Sequence, residues 1–491
     1  MDHQPTTSPP HGGPEPDPRR WRALALLGTA FFMVILDSTI VLTAIPSMQA
    51  ELGVPVDVVQ WVLTGYALAF GGLMLLGGRI ADLWGRRRVF VVGLALFGLS
   101  SLACGLAWTA GILLAARGVQ GVSAAIMAPT ALSLVMTTFP DGPERNKALA
   151  VWGALGGIGA TAGLLAGGLI TAALGWEWVF FLNVPVTVVL VALCPVLLRE
   201  SRDPSAERSV DVAGAITVTG ALVLLVYAIV TAPDAGWASA RTVGLLIASA
   251  GLIGLFVLIE SRTAAPLVPL RIFRLRTLVA GNVVLFMVGL ALDGMLFPLT
   301  LYAQQVLGYS ALQAGLLSAA MTATSIAGAF AGQALVVRIG LRRLAVAGIV
   351  PVVAGCALLL GVTADGNPLV QVVPAMLVFG AGLGAAFVAC QIAALTGVPE
   401  RESGLAAGLI DTSFNLGNAI GIAIATSVAV AITEAAQHAD PGIHPAAAFT
   451  DGLRAAFGMT VVAAALALVA AIVLLPRTAL AHETGDEGPR S

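Results

Sequence analysis

Apolar stretches long enough to cross a lipid bilayer recur along the whole of this chain, and no soluble fold accommodates them. A spanning helix needs about 20 mostly apolar residues. Fourteen segments qualify, at about 21–46, 57–78, 86–107, 109–137, 146–172, 178–198, 211–232, 242–260, 277–300, 311–337, 344–364, 369–394, 403–433 and 453–475. The chain has 491 residues, 58% hydrophobic and only 11% charged, where a soluble protein carries roughly a quarter charged residues. The expected fold is an all-α membrane protein of 14 transmembrane helices.

The basic residues fix the expected orientation. The tails and the even-numbered gaps between spans hold Arg19, Arg20 and Arg22; Arg79 and Arg86 to Arg88; Arg145 and Lys147; Arg199, Arg202 and Arg208; Arg271, Arg274 and Arg276; and Arg338, Arg342 and Arg343. The odd-numbered gaps hold Arg241 and Arg454 only. Positive residues stay on the cytoplasmic side, so both termini are expected there, with an even number of spans. Trp21, Trp84, Trp108, Trp176, Trp178 and Trp237 fall near span ends, where amphipathic rings favour the interface. Residues 1–20 and 477–491 read as disordered cytoplasmic tails, with no removable signal peptide. Cys104, Cys194, Cys356 and Cys390 lie inside spans at irregular spacing and read as packing residues. The histidines lie in the tails or after span thirteen, where Glu434, His438, Asp440 and His444 read as a solvated loop rather than a metal site.

The chain repeats itself at an offset of 255–256 residues. "LD" at 36–37 answers "LD" at 292–293, "ELG" at 51–53 answers "VLG" at 306–308, "GRR" at 85–87 answers "GLRR" at 340–343, and "PER" at 143–145 recurs at 399–401. Eight spans separate the copies, so both have the same orientation: a parallel repeat, with a site expected between the halves near mid-membrane. Residues 21–200 then form an N-terminal six-helix bundle and 263–476 a C-terminal one. Residues 201–262 supply two inserted helices and a linker.

The motifs name a family. "GGRIADLWGRRR", 77–88, has the spacing G-x-x-x-D-x-x-G-R-R and resembles the signature loop of the major facilitator superfamily. Asp82 and Arg86 are four apart and would share a face on a helix. "RGVQGVSAA", 117–125, resembles the superfamily's fourth-span motif. "LDSTIVLTAIP" (36–46), "WEWVFFLNVP" (176–185), "DVAGA" (211–215) and "YAQQVLGYSALQAGLL" (302–317) resemble the fourteen-span drug–proton antiporters. The resemblance implies that Gly78, Asp82, Gly85 and Arg86 form a cytoplasmic gating loop. The antiporter motif of span five, G-P-x-x-G-G, reads "GLLAGG" at 163–168, with Leu164 for proline; Gly159, Gly163, Gly167 and Gly168 keep its small-residue packing face. Glu177 stands where the family has a basic residue, Phe414 where arginine is common and Asp411 where an amide is common.

The sharpest functional signal is Asp37, alone in the apolar run "FFMVILDSTIVLTAIP" (31–46). A carboxylate at mid-span costs about 2.5–3.5 kcal/mol on insertion scales and marks function by default. Asp37 precedes Pro46 by nine residues, and Arg117 follows Trp108 by nine. If those residues end their spans, both side chains lie roughly 12–14 Å below the outer surface at about 1.5 Å per residue. Arg117 is the one basic residue deep in a span, and the resemblance sets spans one and four side by side. Arg117, with Gln120 on the same face, is therefore the expected partner of Asp37. Burial disfavours a charged carboxylate and a nearby arginine favours it; the balance changes with access, which suits proton coupling. Asp293, the repeat-mate of Asp37, and Asp411 are the further cavity candidates, with Met295 and Phe297 near Asp293 as apolar contacts for a lipophilic cation.

No P-loop, HExxH or intramembrane histidine occurs, and the loops hold no soluble module, so an enzyme or receptor is disfavoured. No cofactor and no metal are implied. The expected partners are a small-molecule substrate, protons and the lipid bilayer, with no nucleic acid, for a monomer in a bacterial cytoplasmic membrane. The expected function is proton-coupled export of lipophilic, antibiotic-like or cationic drugs. The alternative is a proton-coupled carrier of one metabolite or natural product.

Overall fold

The computed structural model describes residues 18–139, 143–200, 211–263, 266–364, 366–398, 403–440 and 442–476. The terminal tails up to residue 17 and from 477, and the 201–210 linker, lie outside the described residues. Within them the fold is helical. The first half comprises α1 (Arg20–Leu52), the single turn α2 (Val56–Val59), α3 (Trp61–Trp84), α4 (Arg86–Gly105), α5 (Ala110–Thr138), α6 (Pro143–Leu174), the single turn α7 (Trp178–Phe181) and α8 (Asn183–Leu197). Two helices follow, α9 (Val212–Ala235) and α10 (Ala240–Arg262). The second half comprises α11 (Arg276–Leu301), α12 (Ala311–Ile339), α13 (Leu341–Leu358), the turn α14 (Pro368–Gln371), α15 (Val373–Leu395), α16 (Ser403–Ala439) and α17 (Pro445–Leu474).

Among the described residues, 12 helical segments are long and apolar enough to cross a membrane, so this is a multi-pass membrane protein. The helices α3 and α6 carry shorter apolar stretches, Trp61–Met74 and Ile158–Leu174.

The two halves pack by the same pairing. In the first, α1 lies on α6, α3 on α5, and α4 on α5 and α8; in the second, α11 lies on α16, α12 on α15, and α13 on α15 and α17. The halves meet through α6 against α12 and α3 against α16. The pair α9–α10 leans on this second seam, with α9 touching α3 and α16 and Ser427 Oγ donating to the Ile229 carbonyl (3.1 Å). Asp211 caps α9, accepting from the Gly214 N–H (2.6 Å).

Small residues set the closest approaches. On α6 the ladder Gly159, Gly163, Gly167 rides along Phe32, Leu36 and Ile40 of α1; a Cβ on Gly163 would stand 2.7 Å from the Leu36 carbonyl oxygen. The Leu164 that replaces the motif proline is buried, α6 runs unbroken past it, and its carbonyl packs on Gly315 of α12. Gly168 is buried on the same helix.

Several sequence expectations need correction. Pro46 does not end the first span: α1 continues to Leu52 and turns at Gly53, φ 63°. A proline costs a helix one backbone bond, and dense neighbours on every side offset it. The depth reckoned from Pro46 therefore falls away. Asp82 and Arg86 are not on one helix, because α3 stops at Trp84 and α4 begins at Arg86 across Gly85, whose φ of 102° favours glycine. Span six runs as one segment, Trp178–Leu197, through Leu182, and the ninth ends in a π-helical turn, Tyr302–Val306. Trp176 is buried rather than interfacial, donating its Nε1–H to Glu51 Oε2 (2.8 Å). His444 caps α17, its Nδ1 accepting from the Ala446 N–H (3.3 Å).

Candidate functional site

The polar centre of the first half is built where five apolar helices meet. Gly121 of α5 lets that helix settle against the Tyr66 carbonyl of α3, a Cβ there standing 2.5 Å from the oxygen. This close approach brings Arg117, one turn earlier on α5, under α3. Its Nε donates to the Val62 carbonyl (3.0 Å), and its guanidinium lies over the Tyr66 ring, 4.2 Å from the centroid, with Phe180 at 5.6 Å. Cation–π contacts of this kind gain strength when desolvated.

Asp37 of α1 receives the charge. Arg117 Nη1 donates to Asp37 Oδ2 at 2.7 Å, and both side chains are 0% exposed. The other oxygen, Oδ1, accepts from Gln120 Nε2 (3.0 Å) and from Asn183 Nδ2 (2.7 Å). Gln120 Oε1 accepts in turn from Arg117 Nη1 (2.8 Å), and Ser101 Oγ of α4 accepts from Gln120 Nε2 (2.6 Å) and Asn183 Nδ2 (3.2 Å). Cys104 completes the wall, its Sγ 3.6 Å from Gln120 Oε1. Every donor that reaches the carboxylate is aimed as an ionised Asp37 requires. Removing one partner from so buried a pair costs about 3–5 kcal/mol, because a charge is then stranded.

The sequence reading thus brought together Asp37, Arg117 and Gln120. It missed Ser101 and Asn183, which are neutral and ordinary in composition. Their only signal was the polar Asn183 opening a span inside the motif "WEWVFFLNVP".

The other candidates stand apart from this cluster. The Asp37 side chain is 0% exposed, its carboxylate bonded to residues of α5 and α8. Asp293 is half-buried on α11 and has no hydrogen-bond or ion-pair partner among the described residues. Met295 and Phe297 beside it are fully buried, so they are not the apolar contacts for a substrate that the sequence suggested. Asp411 is half-buried on α16, its Oδ1 accepting from Gln391 Nε2 of α15 (3.3 Å), close to where α16 meets Gly71 of α3. Phe414 makes an edge-to-face pair with Phe387 of α15, centroids 5.4 Å apart. An aromatic contact thus occupies the place where the family often has an arginine.

In the loop between α3 and α4, Gly78 packs on Pro129 and Gly85 makes the turn; the side chain of Asp82 lies outside the described residues. The partner of this loop is Glu200, just beyond α8. Its Oε1 accepts from the Arg87 N–H (3.1 Å), and its Oε2 lies 3.7 Å from Arg87 Nε and 3.6 Å from Arg88 Nε. An anion at the start of α4 also meets the positive end of that helix. At the opposite end of the molecule the halves are tied by amides. Gln304 Nε2 donates to the Thr43 carbonyl (2.9 Å) and Gln305 Nε2 to Gln49 Oε1 (2.8 Å), beside a cleft of about 610 Å³.

Residues 27–422 match the sequence profile of the Major Facilitator Superfamily. The chain belongs to that superfamily of transporters. It is 38% identical over 481 residues to the puromycin resistance protein pur8 of Streptomyces alboniger, covering 96% of this chain and 94% of that one. It is 38% identical over 425 residues to the cephamycin export protein CmcT of Amycolatopsis lactamdurans, covering 83% and 84%. Its fold is similar to the crystal structure of the POT family transporter PepTSo, with TM-score 0.67 over 92% of this chain and 97% of that one at 15% identity. Superfamily members bind small-molecule substrates, and the buried ion pair of this member is to be read as part of a transporter rather than an enzyme.

Proposed function

We propose that this protein exports lipophilic, antibiotic-like compounds, cations among them, across the cytoplasmic membrane in exchange for protons, by alternating access. The observation that carries the coupling is the Asp37–Arg117 pair. It is an acid sealed from water in one half, its oxygens accepting from aligned donors, and joined to two neighbouring helices. A protonated Asp37 would release Arg117, loosening α1 from α5. Proton loading and helix packing are thus linked by one contact. Asp293 and Asp411, half-buried on the other half, are the further acidic groups available to protons or to a cationic substrate.

The resistance and export names of the relatives support the drug-efflux reading. Several of them are named for single compounds, which favours the narrower alternative, a carrier of one natural product. A resistance profile of cells with and without the gene separates the two.

Fourteen spans and a parallel repeat remain the reading of the layout, supported by α3 and α6 as two further membrane helices and by the matched pairing of the two halves. Both termini are then cytoplasmic, with α9–α10 as the insertion and the protein acting as a monomer. Reporter fusions after Pro476 and within residues 199–210 should both read cytoplasmic; an outside signal at either would remove the even-span layout.

The coupling is tested with Asp37→Asn, which keeps the shape and removes the titratable group. Proton-driven transport in vesicles is expected to be lost while ligand binding survives. Wild-type rates in this variant would sink the proton-carrier role.

A further inference from the structure

Three groups around Asp37 have a buried polar atom without a partner, Arg117 Nη2, the Tyr66 hydroxyl and Asn183 Oδ1, and of these Asn183 alone is an amide that donates to the carboxylate. Its Nδ2 donates to Asp37 Oδ1 (2.7 Å) and Ser101 Oγ (3.2 Å), but its Oδ1 is buried and has no donor. A buried polar atom left without a partner costs about 1–3 kcal/mol, and in a dense helical junction it calls for an explanation. Asn183 is 1% exposed, so neither bulk water nor substrate reaches it in this conformation.

The geometry points to Asn183 as a positioning residue that serves both protonation states of Asp37 by inverting its amide. This rests on Asp37 being the proton carrier. In the ionised state every bond to the carboxylate is accepted, and the amide presents its NH2. When a proton binds to Oδ1, that oxygen gains an O–H that must donate. Gln120 Oε1 is already taken by Arg117 Nη1 and Cys104 Sγ. Rotating the Asn183 amide by half a turn puts its Oδ1 where Nδ2 was, facing the new O–H. The Ser101 hydroxyl can follow. It accepts from both amides in the ionised state, and a hydroxyl can rotate to donate as well; in the protonated state it donates to the inverted Asn183 Oδ1 and still accepts from Gln120 Nε2. No covalent bond changes beyond the proton that arrives and leaves on Asp37.

The surroundings restrict this task to Asn183. The titratable groups around Asp37 are Arg117 from α5, Tyr66 from α3 and Cys104 from α4. The helix α8 contributes no charged residue, and the charged residues of α6, Glu144, Arg145 and Lys147, all lie in its first five positions. Arginine only donates. Tyr66 lies under the guanidinium, its hydroxyl without a partner and not among the groups bonded to Asp37, and Cys104 bonds Gln120.

The test uses the full-length protein in lipid. Infrared difference spectra between high and low pH should contain a carboxyl C=O stretch that vanishes in Asp37→Asn. Absence of any Asp37-dependent band would remove the proton-carrier reading itself, a separate failure. In Asn183→Leu, a near-isostere with no polar atom, that band should move to higher frequency, because the O–H no longer has an acceptor. The pH midpoint of proton-driven transport should move by less than about half a unit, because both states lose a partner. An unmoved band in Asn183→Leu would overturn the inference. So would an alkaline shift of the midpoint by a full unit or more, about tenfold in proton affinity, since the residue would then serve the ionised state alone. Should Asn183→Leu fail to reach the membrane, Asn183→Asp decides. An ionised Asp accepts but does not donate, so the midpoint should move alkaline by more than about one unit, and an unmoved midpoint would show that the two side chains do not meet.

Discussion

Replacing Gly163 by alanine tests the packing on which the ion pair depends. The added Cβ would stand 2.7 Å from the Leu36 carbonyl oxygen and collide with Thr39 Oγ1. Carbon–oxygen contacts settle at about 3.3–3.6 Å, so α1 and α6 must part by about half an ångström or more. Overpacking of this size costs about 1–3 kcal/mol. Alanine is also the better helix former, by about 0.8–1 kcal/mol, which partly hides the cost. The control is Gly118→Ala on α5, where nothing lies within 4 Å of the new Cβ and only the helix preference acts. The difference between the two variants isolates the contact and should be about 1–3 kcal/mol. In fluorimetric melting in detergent, Gly118→Ala should match or exceed the parent, and Gly163→Ala should fall below it. Efflux should fall as well, because Leu36 precedes Asp37 and the displaced α1 strains a 2.7 Å ion pair. Adding Thr39→Ala removes one collision but not the carbonyl, so rescue should be partial. Equal melting of the two alanine variants would refute the close α1–α6 contact.

On the cytoplasmic side of the proposed topology, Arg20 holds Glu144 by two bonds of 2.9 Å. That bond first, then the charges of Arg20 and Lys147, hold the carboxyl below its ordinary value of 4.5. Its stabilisation is therefore complete above pH 4.5 and is lost as pH falls through the lowered value; Glu144→Gln should melt earlier than the parent at neutral pH, with the gap closing in acid. At the other end, Gln304→Leu with Gln305→Leu removes two amide bonds at about 1 kcal/mol each, about thirtyfold in the closed-to-open ratio. An impermeant maleimide should then label Ser47→Cys about thirtyfold faster from outside, against native cysteines that are all buried; an unchanged rate would mean these amides do not hold that end shut.

The spans were legible because an apolar helix in lipid must carry a long run of apolar residues, and little else does. Asp37 and Arg117 were legible for the converse reason: charge is scarce there, so each instance is conspicuous. Their pairing came from the family resemblance, not from depth, since the span end assigned to Pro46 was wrong. A proline inside α1 and one at its end look alike in sequence; only the neighbouring helices decide. Ser101 and Asn183 stayed hidden because small neutral polar residues are common in membrane helices and their role depends on who faces them. Glu200 was not singled out in the sequence, since its value lies in meeting the start of α4, a contact made across more than 100 residues. Asp293 and Asp411 were found by the same rarity as Asp37, yet no arginine met them, and rarity alone could not say so.

The ion pair has an electrical consequence. With Asp37 ionised, the charge of Arg117 is cancelled within one hydrogen bond, and the core of the first half is neutral to the membrane field. Once a proton is bound, the same core carries one uncompensated positive charge. A full charge crossing the membrane gains about 2.3 kcal/mol per 100 mV, and a core that moves through part of that field gains the corresponding part. On the proposed coupling and topology, an inside-negative potential would act on the proton-loaded carrier, drawing it towards the cytoplasm-facing form, and would leave the unloaded carrier nearly indifferent. Voltage would enter the cycle at one step only, set by the distance between two side chains.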